Sequence, residues 1–493
     1  MTDSNGGMLS PRRRNSKLFN MFNADATIQS DSEFPNGSRS CVYSSSSSPD
    51  YHSDRHGGSP YDMSPWNSAD ASPYSKSPWA YLPTLSDDVA GTGLVASLVR
   101  EEGHVYSLAV VGDLLYTGSE SRNIRVWKGH RELSGFKSSS GFVKTIVVAG
   151  DRIFTGHQDG KIRVWARSSK NPTVHKHVGT LPRLKDFLKS SINPSDYVEV
   201  RRQRRTVWLR HFDAVSCLSL DQESGILYSG SWDKTVKVWR ISDSKCLESF
   251  KVHDDAVNSM ATGFGGILFT GSADGTLKVW RREAAGKGGA TRHVLVQTLL
   301  RQESAVTTVA VVEAAGAVYC GSSDGLVNYW WWDSAQRRLA HGGVLRGHRM
   351  PVLCLAAAGN LVVSGSADKT LCVWRREEGS GGERHTKLAV LAGHEGPIKC
   401  VMVVEEGAEG GDRPRGLRYV VYSGSLDNTV KVWRVLDSDA TPEAHDEALR
   451  QRSPLSARGG ERPRTSGGGK LMRVVSPMGQ DLMGQPARVQ AAA

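Results

Sequence analysis

No stretch of this chain approaches the ~18 consecutive apolar residues that a membrane-spanning helix needs, so an α-helical membrane protein is excluded. The opening MTDSNGGMLSPRRR has no apolar core behind its charges and does not read as a secretory signal peptide. A cytoplasmic or nuclear protein, without membrane contact, is expected. Cysteine is sparse: Cys41, Cys217, Cys246, Cys320, Cys354, Cys372 and Cys400 are odd in number, scattered and never in a CxxC pair. That pattern argues against both a disulfide framework and a zinc site, and leaves buried small side chains of a reduced protein. No metal and no cofactor is expected.

Periodicity is missing at both ends. Residues 1–90 are rich in Ser, Pro, Asn and Gly, and the tail from 437 to 493 has the same character. Neither can bury enough apolar surface to offset its ordering entropy, so both read as disordered. The leader carries an internal echo, SPYDMSPW (59–66) and SPYSKSPW (72–79), which reads as a tandem linear motif. Ser10, Ser59, Ser64, Ser72 and Ser77 each precede Pro and are candidate phosphorylation sites, at which a phosphate would add charge of about −1.5 to −2. Arg12 to Arg14 lie where a nuclear-import signal would be accessible.

Between the tails one pattern returns seven times: YTGSESRNIRVW (116–127), FTGHQDGKIRVW (154–165), YSGSWDKTVKVW (228–239), FTGSADGTLKVW (269–280), YCGSSDGLVNYW (319–330), VSGSADKTLCVW (363–374) and YSGSLDNTVKVW (422–433). Each copy follows an apolar alternating run such as AVSCLSL (214–220) and reads as strand, tight turn, strand. Neighbouring terminal Trp residues are mostly 38 to 59 apart. That spacing fits small antiparallel sheets of about 40 to 45 residues with loop insertions.

These copies resemble WD repeats over about residues 92–435. The resemblance implies an all-β, seven-bladed propeller occupying 91–436. It further implies a hydrogen-bonded His, Ser/Thr, Asp and Trp tetrad in each complete blade. Four blades carry all four residues: His211, Ser229, Asp233, Trp239; His253, Thr270, Asp274, Trp280; His348, Ser364, Asp368, Trp374; and His394, Ser423, Asp427, Trp433. Three are degenerate: the first has Glu101 and Ser121 at the His and Asp positions, the second Ser139 for His, and the fifth Gln302 and Cys320 for His and Ser. A Ser, His, Asp set invites a hydrolase reading. Recurrence at fixed register, with no nucleophile elbow, points instead to buried polar groups that satisfy one another, and no enzyme is expected.

Blade closure needs an outer strand after each Trp, as CLESFKVH (246–253) supplies, but after Trp433 the chain offers only RVLDSDA before the tail that reads as disordered. LVASLV (94–99), which has no blade of its own, is the expected partner, and it would hide a sheet edge. An insert separates the second and third blades at 171–210. Within it LPRLKDFLKSSI places Leu181, Leu184, Leu188 and Ile192 at helical spacing before Pro194. This insert, with YVEVRR at 197–202 and the SPW leader, resembles the plant JINGUBANG-like WD-repeat proteins.

The formal charge is +11, and the densest basic run of the folded region is Arg201, Arg202, Arg204 and Arg205. Only Tyr197 and Trp208 flank it, too few aromatics for a nucleic-acid groove, so it reads as a protein-facing or solvated strip. The resemblance implies partner binding on the narrow face, at the links into each blade and the turns before each Asp: His104, Tyr106, Phe142, Lys144, Trp232, Asn258, Leu353, Lys399 and Leu426. The expected partners are proteins, a transcription factor or a signalling protein, docked on a monomeric propeller. Two alternatives fit less well. A cullin-type ubiquitin ligase receptor would carry a Trp-Asp-x-Arg blade ending, and the endings here are WKGH, WARS, WRIS, WRRE, WWWD, WRRE and WRVL. A G-protein β-like subunit would carry an N-terminal coiled coil, and the leader has no heptads.

Overall fold

The structure is a computed structural model. It describes residues 92–437 except 100–101, 169, 172, 202–203, 285–290, 334–337, 378–383 and 407–416. The leader with Ser10, Ser59, Ser64, Ser72 and Ser77, the C-terminal tail, Cys41, Glu101 and Arg202 therefore lie outside the described residues.

Seven four-stranded antiparallel sheets form the ring of a β-propeller. Blade 1 comprises β2 (Val105–Val111), β3 (Leu114–Ser119), β4 (Asn123–Lys128) and β5 (Arg131–Lys137). Blade 2 comprises β6 (Val143–Ala149), β7 (Arg152–His157), β8 (Ile162–Arg167) and β9 (His175–Leu181). Blades 3 to 6 begin at Val215, Val257, Val306 and Val352 and repeat the order. Blade 7 holds β28 (Ile398–Glu405), β29 (Leu417–Ser425) and β30 (Thr429–Asp437), and its fourth strand is β1 (Gly93–Val99). β1 pairs antiparallel with β30, Leu94 opposite Trp433 and Val99 opposite Thr429, so the two ends of the repeat region close the ring. First strands of successive blades lie side by side, and β28 returns to β2.

The glycine of each repeat explains itself at the contact between blades. A Cβ at Gly118 would lie 2.7 Å from Val143 of the next blade, at Gly271 2.3 Å from Val306, and at Gly424 2.7 Å from Val105. Gly156, Gly230, Gly321 and Gly365 meet Val215, Val257, Val352 and Ile398 in the same way. Seven glycines thus admit seven branched side chains, and the last contact joins blade 7 to blade 1. The second strands of blades 1, 3, 4, 5 and 6 are buried at every residue because a blade packs on each of their faces, which is why they read as continuous small and apolar runs.

Alternate pairs of blades share a further clasp. Tyr116 meets His175 at 3.3 Å, Tyr228 meets His293 at 3.2 Å and Tyr319 meets His385 at 2.9 Å, joining blade 1 to 2, 3 to 4 and 5 to 6. In the central case Glu248 accepts from His293 Nδ1 at 2.7 Å and Phe250 stacks on the ring at 5.1 Å. No repeat motif marks these histidines, which come from outer strands.

The insert differs from its expected form in two respects. His175–Leu181 is the outer strand of blade 2, paired with β8, so the insert begins after Leu181 rather than at 171. Leu181 is buried in the core between blades 2 and 3, and helix α1 runs Leu184–Ile192. Phe187 anchors α1 on that core, while Leu184, Leu188 and Ile192 face outward. A two-stranded hairpin, β10 (Tyr197–Arg201) and β11 (Arg204–Val207), follows and leads back through Val207 and Leu209 into blade 3.

Candidate partner-binding face

The tetrads set the face. In blade 3 the Trp239 indole donates to Ser229 Oγ at 2.9 Å, Ser229 Oγ lies 2.9 Å from His211 Nε2, and His211 Nδ1 lies 2.8 Å from Asp233 Oδ2. The ionised Asp233 only accepts, so Nδ1 carries the proton of the neutral imidazole, and Nε2 accepts from the serine hydroxyl, which in turn accepts from the indole. Blades 4, 6 and 7 repeat the chain, with His to Asp distances of 3.0, 3.0 and 2.7 Å. Ser229, Thr270, Ser364 and Ser423 are wholly buried. Their hydroxyls are engaged on both sides and no substrate reaches them.

A fifth member was missed from the sequence. Thr235, Thr276, Thr370 and Thr429 each donate to their Asp at 2.6 to 2.7 Å. The signal was present: Thr stands two residues after Asp in all four complete repeats and in none of the other three. Burial pushes the Asp233 carboxyl up, but His211, Lys237 and Thr235 outweigh it and hold it at about 2. Burial of the His211 ring lowers its basicity, in keeping with a neutral imidazole.

Two degenerate blades replace the imidazole rather than lose it. In blade 2, Arg163 bridges Ser139 at 2.8 Å and Asp159 at 2.7 Å. There His157, inside β7, approaches Thr155 Oγ1 at 2.8 Å, and Trp165 donates to the same oxygen. In blade 1, Arg125 binds Glu102, the neighbour of Glu101, and Ser121 donates to that carboxylate at 3.3 Å. IRVW in both repeats, where others read KVW, CVW or NYW, is the sequence mark of this substitution. Blade 5 has Cys320 fully buried at the Ser position.

Because each tetrad fixes its turn, the residue before the Asp is held in place by its backbone. Trp232 N–H donates to Ala214 O at 3.2 Å, and Leu426 N–H donates to Pro397 O at 3.0 Å. On this face the structure brings five of the nine expected residues together. Lys144 Nζ sits 4.0 Å from the Tyr106 ring centre, 5.3 Å from Phe142 and 5.7 Å from Trp232. His104 packs edge-on against Tyr106 at 6.4 Å and pairs with Glu120 at 3.4 Å. One ammonium therefore links aromatic rings from three blades, an arrangement worth about 0.5 to 2 kcal/mol per ring depending on desolvation.

The remaining four are spread around the ring. Lys399 holds in blade 7 the position of Tyr106 and Lys144, and burial followed by the Lys144 charge pushes its ammonium down to about 7. Asn258 donates to Val306 O of the next blade at 2.8 Å, as Ser216 does to Val257 O and Thr307 to Val352 O, so it fastens blades together. Leu353 and Leu426 are half-buried. In the basic run, Arg201 and Arg204 are opposed across the hairpin and Arg205 is exposed.

The family model for the WD domain, G-beta repeat, matches residues 95–128, 202–240, 244–281, 341–375 and 385–434. Five stretches of the chain thus match the WD repeat model. The matched segments fall on blades 1, 3, 4, 6 and 7 of the propeller. Curated relatives include human WD repeat-containing protein 18, 28% identical over 34% of this chain and 41% of that protein. Two Arabidopsis thaliana proteins also match. Zinc finger CCCH domain-containing protein 62 is 27% identical over 33% of this chain and 37% of its own, and Protein ROOT INITIATION DEFECTIVE 3 is 24% identical over 40% and 47%. The chain spans less than half the length of these relatives. Among solved structures, the computationally designed Ika8 protein superposes with a TM-score of 0.47 at 23% identity, over 70% of this chain and 100% of that one. Among the described residues no helix is long and apolar enough to cross a membrane.

Proposed function

We propose that this protein is a non-enzymatic adaptor that binds one protein partner across blades 1 to 3, as a plant regulatory scaffold of the JINGUBANG-like kind would bind a transcriptional or signalling partner. The observation that carries this reading is the Lys144 cluster. Aromatic and basic side chains at the centre of a patch dominate binding energy at interfaces, and Tyr106, Phe142 and Trp232 are ordered around a cation before any partner arrives. With Lys399 also on this face, the partner best matched to it presents an acidic side chain beside an apolar one.

Affinity capture from plant tissue tests the reading. The full chain is compared with a Trp232→Ala, Lys144→Ser double variant and with an Arg201→Ser, Arg205→Ser variant. Loss of the same captured protein in the first, with folding intact by circular dichroism and unchanged capture in the second, supports the cluster. An identical captured set from all three overturns it.

A further inference from the structure

Helix α1 is built the wrong way round for a helix that serves only its own core. Leu184, Leu188 and Ile192, one turn apart along one line, are 72%, 54% and 83% exposed, whereas the inward face offers Phe187 and Ser190. Lys185 and Lys189 are exposed alongside them, so the outer face reads Leu-Lys, Leu-Lys, Ile over about 12 Å of helix. Tyr197 extends the stripe: it is 38% exposed, and its hydroxyl donates to Ser191 O at 3.0 Å. The following Val198 and, on β11, Arg205 are exposed as well. The acidic residue within the helix is already used, since Asp186 pairs with Arg183 at 2.7 Å. Residues 181–210 hold eight Lys and Arg against three Asp and Glu.

We propose that this outer face of α1 is a second docking site, separate from the Lys144 cluster, and that it takes an acidic amphipathic helix of another protein. A partner helix laid along α1 would bury its apolar line on Leu184, Leu188 and Ile192 and set its carboxylates against Lys185, Lys189 and Arg205. Other occupants fit worse. An interfacial membrane helix is usually longer and carries Trp or Phe on its apolar face, while α1 has nine residues and turns its Phe187 inward. A second copy of this chain would bring Lys185 and Lys189 against the same lysines. In the leader of this chain the proline-free run 12–34 holds four Arg and Lys against three Asp and Glu, so it does not supply the acidic complement this face calls for.

The test uses the full chain and a fluorescein-labelled acidic amphipathic peptide of about 15 residues, with leucines at one-turn spacing and glutamates on the flanks. Fluorescence anisotropy should show saturable binding that weakens about tenfold or more in Leu184→Ser, Leu188→Ser and in Lys185→Glu, Lys189→Glu. The charge-reversed protein should instead bind the peptide in which lysines replace the glutamates. All of these side chains point outward, so melting temperatures should stay at the wild-type value. Three results would overturn the proposal. One is peptide binding indifferent to all four substitutions. Another is binding to vesicles with about 30% phosphatidylserine that Leu184→Ser, Leu188→Ser abolishes. The third is peptide affinity that appears only when residues 1–91 are removed.

Discussion

The Lys144 ammonium lies 4.0 Å from the centre of the Tyr106 ring, across the boundary between blades 2 and 1. Its charge also reaches Lys399 of blade 7, so three consecutive blades meet electrostatically on one face. Burial, and after it the like charge of Lys144, disfavours the protonated form of Lys399.

That relationship predicts a titration. Lys399, observed by nuclear magnetic resonance of 13C-dimethylated lysines, should lose its proton at a pH of about 7, and Lys144→Met should move the transition upward. Titration of Lys399 at the ordinary lysine pKa, unchanged by Lys144→Met, would remove the coupling.

Acid should weaken the fold in a defined window. Burial is the first cause that holds His157 and His385 down at about 4. Between the ordinary histidine value of 6.5 and 4 the folded chain therefore binds fewer protons than the unfolded one. Their stabilisation is complete above 6.5 and is lost as the pH falls toward 4. Asp233 adds a second loss between its ordinary 3.8 and about 2. The urea midpoint should fall across the first window, and His385→Phe should flatten part of that slope. A midpoint constant from pH 6.5 to 4 would contradict it.

Gly271→Ala should destabilise the propeller by about 1 to 3 kcal/mol, since overpacking a tight core costs that much. The added methyl would start 2.3 Å from Val306 Cγ1. Combining it with Val306→Ala should recover part of the loss in thermal melts. Two additive losses would show that the glycine is not there to admit Val306.

Removing residues 91–100 takes away β1 and leaves β30 as an unpaired edge of blade 7. A marked fall in melting temperature and a tendency to associate through that edge are expected. Thermal melts and analytical ultracentrifugation read both, and an unchanged monomer with an unchanged melt would sink the closure model.

Removal of the fifth tetrad member separates its role from packing. Thr276→Val keeps the shape of the side chain and deletes the hydroxyl that donates to Asp274 at 2.6 Å. It should cost about 1.5 to 3 kcal/mol, the range for a hydrogen bond to a charged group. Denaturant midpoints check this, and a loss no larger than that of an exposed Thr→Val control would leave the threonine without a structural role.

The repeat was legible because propeller blades obey local rules. Each has a glycine where two blades touch and a Trp at a fixed offset, six of the seven add a turn Asp, and these recur in one-dimensional register. The Thr two residues after Asp and the Arg of IRVW were legible by the same logic, though only the geometry showed what they bind. The α1 segment misled for a physical reason: helical spacing of Leu and Ile predicts a stripe but not the side it faces, and Leu181 belongs to a strand that happens to continue the spacing.

By itself the sequence determined seven blades and the strand that closes the ring, because each follows from a count of strands, and its resemblance to WD repeats implied four complete tetrads. Only the tertiary structure decided that Lys144 gathers rings from three blades, that histidines of outer strands clasp tyrosines of the preceding blade, and that α1 turns its leucines to solvent. The contacts between blades join residues 38 to 88 positions apart. No periodicity of one strand records what the next blade brings against it.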